Sequence, residues 1–418
     1  MHNMIRAPWS LRLGIVCLTA VSVSLPMAWI SLAKVLVFVG ALVFLASQVL
    51  TQRSDPAISK LWTPWAVTLM LFCSACSLAW TAADFPSALG TLVKHSKLLE
   101  IVILISLIRT VAEARIGITA FAAGQGFMLL SSWLMFAGVN VPWHAHAPTP
   151  NVVFSTYLDQ SIMFATSASV FWHLREEKLW SPAVGTIGAV MAITSTLLVL
   201  EGRSGYLVAL SAMALAIMWA VPNRLRLAAF VIAPIMILTI AALGSAQVQD
   251  RIGKIVAESQ NFAKNRKVEE GDSSGWRLNA WHRSVQAMAD RPVLGHGIGA
   301  WTLAVKRVEG ATAAKVFGEN NLSNPHQEFL LWGVELGVIG LFLFMSVFAC
   351  MARDALRFPR AVKRTTLAVV FAIAIACLFN SALYDDLMGD FLCVILGLLM
   401  ALGTRSMANC NPLAEVKA

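Results

Sequence analysis

The chain has 418 residues, 58% of them hydrophobic and 13% charged, with a mean hydropathy of +0.70 and a net charge of +9. These values exclude an ordinary soluble globular domain and point to a polytopic membrane protein. The basic excess lies mostly between apolar runs, where it orients helices, so no nucleic-acid partner is implied.

Arg6 and Arg12 precede the first apolar run as in a signal peptide, but more apolar runs follow, so it reads as a retained first helix. At roughly 20 residues per crossing, spans are expected near 12–31, 33–50, 64–82, 96–110, 116–138, 155–173, 182–200, 204–221, 227–246, 327–351, 365–383 and 387–403, about twelve in all. An even count returns both termini to one face. Arg53/Lys60, Arg109/Arg115, Arg175/Lys178, Arg224/Arg226 and the cluster from Arg353 to Arg364 fall on that face, which the positive-inside rule makes cytoplasmic. Short connections on the other face carry only Lys34, Lys94, Lys97 and Arg203.

The expected fold is therefore all-α. Spans one to nine occupy 1–246, one long external loop occupies 247–325, and the last three spans with a cytoplasmic tail occupy 326–418. In a bacterium with two membranes the loop faces the periplasm, which has no nucleotide pool. No internal repeat or low-complexity segment is visible.

Of the seven cysteines, Cys17, Cys73, Cys76, Cys350, Cys377 and Cys393 lie in apolar runs and Cys410 in the tail. This argues against a disulfide framework or a cysteine zinc site, and Cys73-x-x-Cys76 reads as small packing residues. His144 and His146 are either a solvated loop or metal ligands, with no carboxylate or cysteine cluster beside them. Asp385-Asp386, between the last two spans, is read as a solvated turn, with metal or sugar binding as the alternative.

The long loop carries the polar chemistry. Val248, Ile252, Ile255, Val256 and Phe262 recur at helical spacing, as do Leu278, Trp281, Val285 and Met288 before Arg291-Pro292. Both segments are expected to be amphipathic helices, on the membrane surface or capping the bundle, with Trp276 and Trp301 as interface anchors. Arg277 and Trp281, four apart, share a helix face, either for packing or to hold a cation beside a ring. Gly295-His296-Gly297-Ile298-Gly299 lacks the strand and helix context of a dinucleotide site and reads as a sharp turn.

Arg203, in Gly202-Arg203-Ser204-Gly205, breaks two apolar runs. A guanidinium there needs water, a carboxylate such as Glu201, or an anionic ligand. Arg203 and Arg277 together could clamp a diphosphate without a metal, because each guanidinium binds phosphate through a planar fork. At the tenth span Asn324 is expected to be the N-cap, Pro325 the first helical residue and Gln327 the reciprocal cap, which puts His326 in the first turn. A helix N-terminus disfavours the protonated imidazole and leaves it able to accept a proton; the alternative is a structural histidine.

Gly202-Arg203-Ser204-Gly205, Arg277-x-x-x-Trp281, Leu294-Gly295-His296-Gly297 and Pro325-His326-Gln327, followed by Glu335-Leu336-Gly337-Val338-Ile339-Gly340-Leu341, together resemble the O-antigen ligase and polymerase superfamily. The resemblance is best from about Ile193 to Leu341. It implies a membrane glycosyltransferase that uses a sugar chain carried on undecaprenyl diphosphate, without cofactor or metal, and inverts at the transferred sugar. A ligase passes that chain to lipid A-core, a polymerase to another lipid-linked unit; the span count and single long loop look more like a ligase. The resemblance implies a bacterial inner-membrane location with the site facing the periplasm. It also implies Arg203 and Arg277 on the diphosphate, His326 in catalysis, and Trp281, Arg291 and Gln327 as supporting or substrate-contacting residues. A peptidoglycan-polymerising enzyme and a lipid-linked glycan transporter are the rival classes.

Overall fold

The structure, a computed structural model, describes residues 9–51, 55–143, 149–244, 246–265, 273–309 and 324–410. Within these the regular structure is entirely helical. Helices α1 (Trp9–Ser22) and α2 (Met27–Thr51) meet at a turn closed by Ser24 and Leu25 N–H groups. The expected break after residue 31 falls here instead, because Pro26 is tolerated at a helix start and not within one.

Next come α3 (Thr63–Cys76), α4 (Phe85–His95) and α5 (Leu99–Leu107). The span expected over 96–110 is thus a 3₁₀ turn, Ser96–Leu98, and the short α5, only about 14 Å long at 1.5 Å per residue. It cannot cross a bilayer core of about 30 Å by itself. Helices α6 (Val111–Phe136), α7 (Tyr157–Leu174) and α8 (Pro182–Thr194) follow, the last continuing as a π-helical turn over Ser195–Val199. Then come α9 (Arg203–Ala220) and α10 (Arg226–Gly244).

The segment expected to be the long loop contains α11 (Ala246–Asn265), α12 (Ser273–Asp290) and α13 (Trp301–Glu309). The first two match the periodicity of the sequence; α13 was hidden by its brevity. The chain ends with α14 (Glu328–Ala355), α15 (Arg360–Phe379) and α16 (Asp386–Cys410).

Among the described residues, 7 helices are long and apolar enough to cross a membrane, and Trp9–Ser22 and Thr63–Ala79 are shorter apolar helices. Apolar side chains such as Trp65, Phe72, Leu227, Ile235 and Phe342 point outward, as expected where the solvent is lipid. The protein is a multi-pass membrane protein; the expectation of about twelve crossings goes beyond these helices. Helix α16, mostly apolar and buried apart from charges such as Asp390 and Arg405, is the mast that α5, α6 and α15 pack around.

Two glycine motifs clasp the loop helices to the bundle. Gly337, at φ 65° and ψ −153°, kinks α14 and frees the carbonyls of the preceding turn. His296 N–H donates to Val334 O at 2.9 Å, Gly297 N–H to Glu335 O at 2.8 Å, and Val338 N–H to Pro292 O at 2.8 Å. Gly295, Gly297 and Gly299 all have positive φ. A Cβ on Gly295 would meet the Glu335 carbonyl, and one on Gly297 the backbone of Thr81. Beside this clasp α12 and α13 pack on α14 around Trp301, which is buried and donates Nε1–H to Ser284 Oγ at 2.9 Å. Trp301 is therefore a core residue, which corrects its reading as an interface anchor; its indole found a buried hydroxyl partner.

Candidate functional site

At one end of the bundle the starts of α7, α9, α12, α14 and α16 converge with the end of α15. Arg203 is the first residue of α9, after Gly202 as N-cap. Its Nη1 lies 3.2 Å from Glu258 Oε2 and donates to Ser274 Oγ at 2.9 Å. Glu258 comes from α11, and the same oxygen accepts the Ser274 backbone N–H at 3.1 Å at the start of α12. A carboxylate thus sits between a guanidinium and a helix N-terminus, an arrangement that suits any anion. Burial alone would raise the Glu258 carboxyl, but the Ser274 hydrogen bonds and Arg203 outweigh it and hold it below its usual range. The carboxylate weighed in the sequence for Arg203 was Glu201; Glu258, 55 positions away, lies in hydrogen-bond range.

Arg277, one turn further along α12, faces the same space. Burial lowers its pKa, Arg203 adds to that, and Tyr157 and Glu258 oppose it. Among the described residues no carboxylate lies within ion-pair range of Arg277, so its fork is oriented by packing and by charges at longer range.

His326 is not in the first turn of a helix. Gln327 is the N-cap of α14, its Oε1 accepting Leu330 N–H at 2.6 Å, and the helix begins at Glu328. Asn324 instead accepts the His326 backbone N–H at 2.8 Å, and Pro325 stays outside the helix. The sequence reading shifted the cap because Asn324-Pro325 has the signature of a helix start, whereas the asparagine here closes a turn. His326 consequently has φ 48°, a left-handed backbone uncommon outside glycine.

That backbone aims the imidazole into the site. Nδ1 lies 3.0 Å from Asn380 Oδ1, and the Trp276 ring meets the imidazole edge-on at 5.0 Å. Trp276 is thus a wall of the site rather than an interface anchor, because its side chain turns inward from α12. Trp281 Nε1–H donates to Pro325 O at 3.0 Å and so holds the segment that carries His326, the packing alternative of the two read for its face with Arg277. Burial first, then Arg277, push the His326 pKa below its usual value against the opposing hydrogen bond to Asn380. The shift favours the neutral ring, the form that can accept a proton.

The turn between α15 and α16 completes the site. Asn380 Nδ2 donates to Asp385 Oδ2 at 3.4 Å. Glu328 Oε2 accepts the backbone N–H groups of Leu383 and Tyr384, both at 3.2 Å, and the buried Lys97 donates to Asp385 O at 2.7 Å. The Asp385 carboxyl is pushed up to about 7, chiefly by burial, with Asp159 and Asp386 adding to the rise and Lys97 and Lys94 opposing it. Asp386 is exposed, so only half of the acidic pair is the solvated turn that was expected.

The site therefore unites Arg203, Arg277, Trp281, His326 and Gln327. Arg291 is exposed at the far end of α12, about 21 Å from Arg277 along the helix axis. His144 and His146 lie outside the described residues. Glu258, Ser274, Asn380 and Lys97 were missed in the sequence because nothing local distinguishes them from a solvated or membrane-boundary polar residue. A cavity of about 280 Å³ between α7, α8 and α9, lined by Ala168, Trp172, Val190 and Met213, is apolar and lies well down α9 from Arg203.

Residues 187–345 match the family model described as O-Antigen ligase. That interval holds Arg203, Glu258, Arg277, Trp281, His326 and the glycine clasp, and it supports the resemblance to the O-antigen ligase superfamily. No curated protein sequence matches the chain.

Proposed function

We propose that this chain, which carries the O-antigen ligase segment, is an O-antigen ligase of the bacterial inner membrane. It transfers a polysaccharide from undecaprenyl diphosphate to a hydroxyl of lipid A-core at the periplasmic face, with both termini in the cytoplasm and the 247–325 segment as the periplasmic loop. The observation that carries this reading is the convergence of Arg203, Arg277 and a half-buried His326 from three separate segments.

Arg203 and Arg277 bind the two phosphates of the donor, with the start of α12 adding N–H donors where Glu258 now sits. His326 takes the proton of the acceptor hydroxyl. The acceptor oxygen forms a bond to the anomeric carbon from the face opposite the diphosphate, and the bond from that carbon to the diphosphate oxygen breaks with its electron pair. The leaving group is already anionic and is stabilised by the guanidiniums, so no general acid and no metal are required. Trp281 and Gln327 hold the His326 segment, and Arg291 is assigned to the approach of the polymeric sugar.

Reconstitution with lipid-linked glycan and lipid A-core tests the reading. Glycan covalently joined to lipid A-core is the expected product. Lengthened lipid-linked chains instead would make the chain a polymerase, and movement between leaflets without a new bond would make it a transporter. Activity that is lost in chelator and restored by one divalent ion would overturn metal independence.

A further inference from the structure

We infer that Asn380 and Asp385 form a positioning relay that fixes His326 as the Nδ1–H tautomer and leaves Nε2 as the atom that receives the acceptor proton. The inference rests on the reading of His326 as the base, and Asn380 and Asp385 lie outside the matched interval.

A primary amide has one accepting and one donating end, and a carboxylate only accepts. Asn380 Nδ2 faces Asp385 Oδ2 at 3.4 Å, so its Oδ1 faces the imidazole at 3.0 Å. An oxygen there accepts from Nδ1–H, and a neutral imidazole protonated on Nδ1 has its lone pair on Nε2. With Asp385 ionised, flipping the amide would set its oxygen against the carboxylate, so the ionised Asp385 assigns the orientation that turns Oδ1 to the ring. The relay is rigid where it needs to be. Asn380 N–H is bonded to Ala376 O at the end of α15, Asp385 N–H to Ser381 O, and Lys97 grips the Asp385 carbonyl. The charged groups acting on the two ends are Arg277 from α12 at the histidine, and Asp159, Asp386, Lys97 and Lys94 at Asp385.

Transfer rate against pH, measured with purified substrates, and ¹⁵N NMR of histidine-labelled protein test this. The His326 signal is assigned by its absence in His326→Ala. The wild-type spectrum should show protonated Nδ1 and unprotonated Nε2. Asn380→Ala should lower kcat about 10- to 100-fold and change donor KM by less than about twofold, and should move the acid limb of the rate profile to lower pH. Asn380→Asp keeps an oxygen at Nδ1 and adds charge, so it should retain more activity than Asn380→Ala and move that limb upward. Asp385→Asn should lower kcat about 3- to 10-fold.

A wild-type ring protonated on Nε2, or Asn380→Ala with wild-type kcat and pH profile, would overturn the relay. If Asn380→Ala fails to fold, the wild-type spectrum and Asn380→Asp decide the matter. His326→Ala separates the two readings. Wild-type transfer in that variant removes the base itself, whereas an inactive His326→Ala beside normal Asn380 and Asp385 variants removes only the relay.

Discussion

The two ends of the helix bundle each hold a partly buried aspartate, one beside arginines and the other beside lysines, and they treat it in opposite ways. At one end Asp55 Oδ2 lies 2.8 Å from both Arg405 and Arg109, and its backbone neighbours are bonded as well. Burial alone would raise its carboxyl, but Arg405 and the other donors outweigh that and hold it below the usual range. Nearby Asp354 Oδ2 accepts from Trp62 N–H, Thr63 N–H and Thr63 Oγ–H, each at 2.8 Å. At the other end Asp385 is pushed up to about 7, Arg277 has no carboxylate in ion-pair range among the described residues, and His326 has a left-handed backbone. The residue types are similar. Satisfied charges lock an architecture, and under-satisfied ones keep the capacity to bind a ligand.

Substitutions at the two ends sharpen this contrast. The largest effect is expected from His326→Ala, which should slow transfer by about a hundredfold or more while the protein stays folded and inserted. In cells lipid A-core would then lack O-antigen and the lipid-linked chain would accumulate. A variant that transfers at the wild-type rate would remove the base.

Arg277→Lys and Arg203→Lys come next. Each keeps the charge and loses the planar fork, so kcat/KM should fall about 10- to 100-fold with little change in thermal stability. Arg405→Ala, at the end where Asp55 is paired, should do the reverse. Opening a buried pair of this kind costs about 3 kcal/mol, seen as a lower unfolding midpoint in detergent, with near-normal turnover in the folded fraction. Equal losses of turnover at both ends would break the distinction.

The pH dependence of stability has opposite signs at the two aspartates. Asp55 is depressed, so its contribution is full above its unfolded pKa and is lost as pH falls through the folded value. Asp385 is raised, so between its unfolded value and about 7 the folded state holds a proton that the unfolded state has released. Stability from that group falls as pH rises through this window, and Asp385→Asn should flatten that part of the curve. The smallest effect is expected from Glu258→Gln. It removes the anion from the seat made by Arg203 and the start of α12 and should tighten donor KM by about 2- to 5-fold, with kcat unchanged.

Much of the site was legible in the chain because its chemistry requires particular residue types. A guanidinium at a break between apolar runs and a histidine at the start of another are conspicuous in lipid, so Arg203, Arg277 and His326 stood out singly. Helical periodicity gave α11 and α12 and the all-α class, and composition gave the membrane. The conformation of His326 was not legible, because Asn-Pro marks a turn and a helix start alike. Its partners were not legible either: Glu258, Asn380 and Lys97 become informative only when distant segments meet. Likewise Gly295–Gly299, which suggested a sharp turn, proved to be one half of a clasp, since Gly337 frees carbonyls that this turn reaches. Local sequence thus determined which residues are costly to place in a bilayer. Tertiary structure alone decided which of those costs are offset by a neighbour and which are not, because pairing between distant segments depends on how the helices pack.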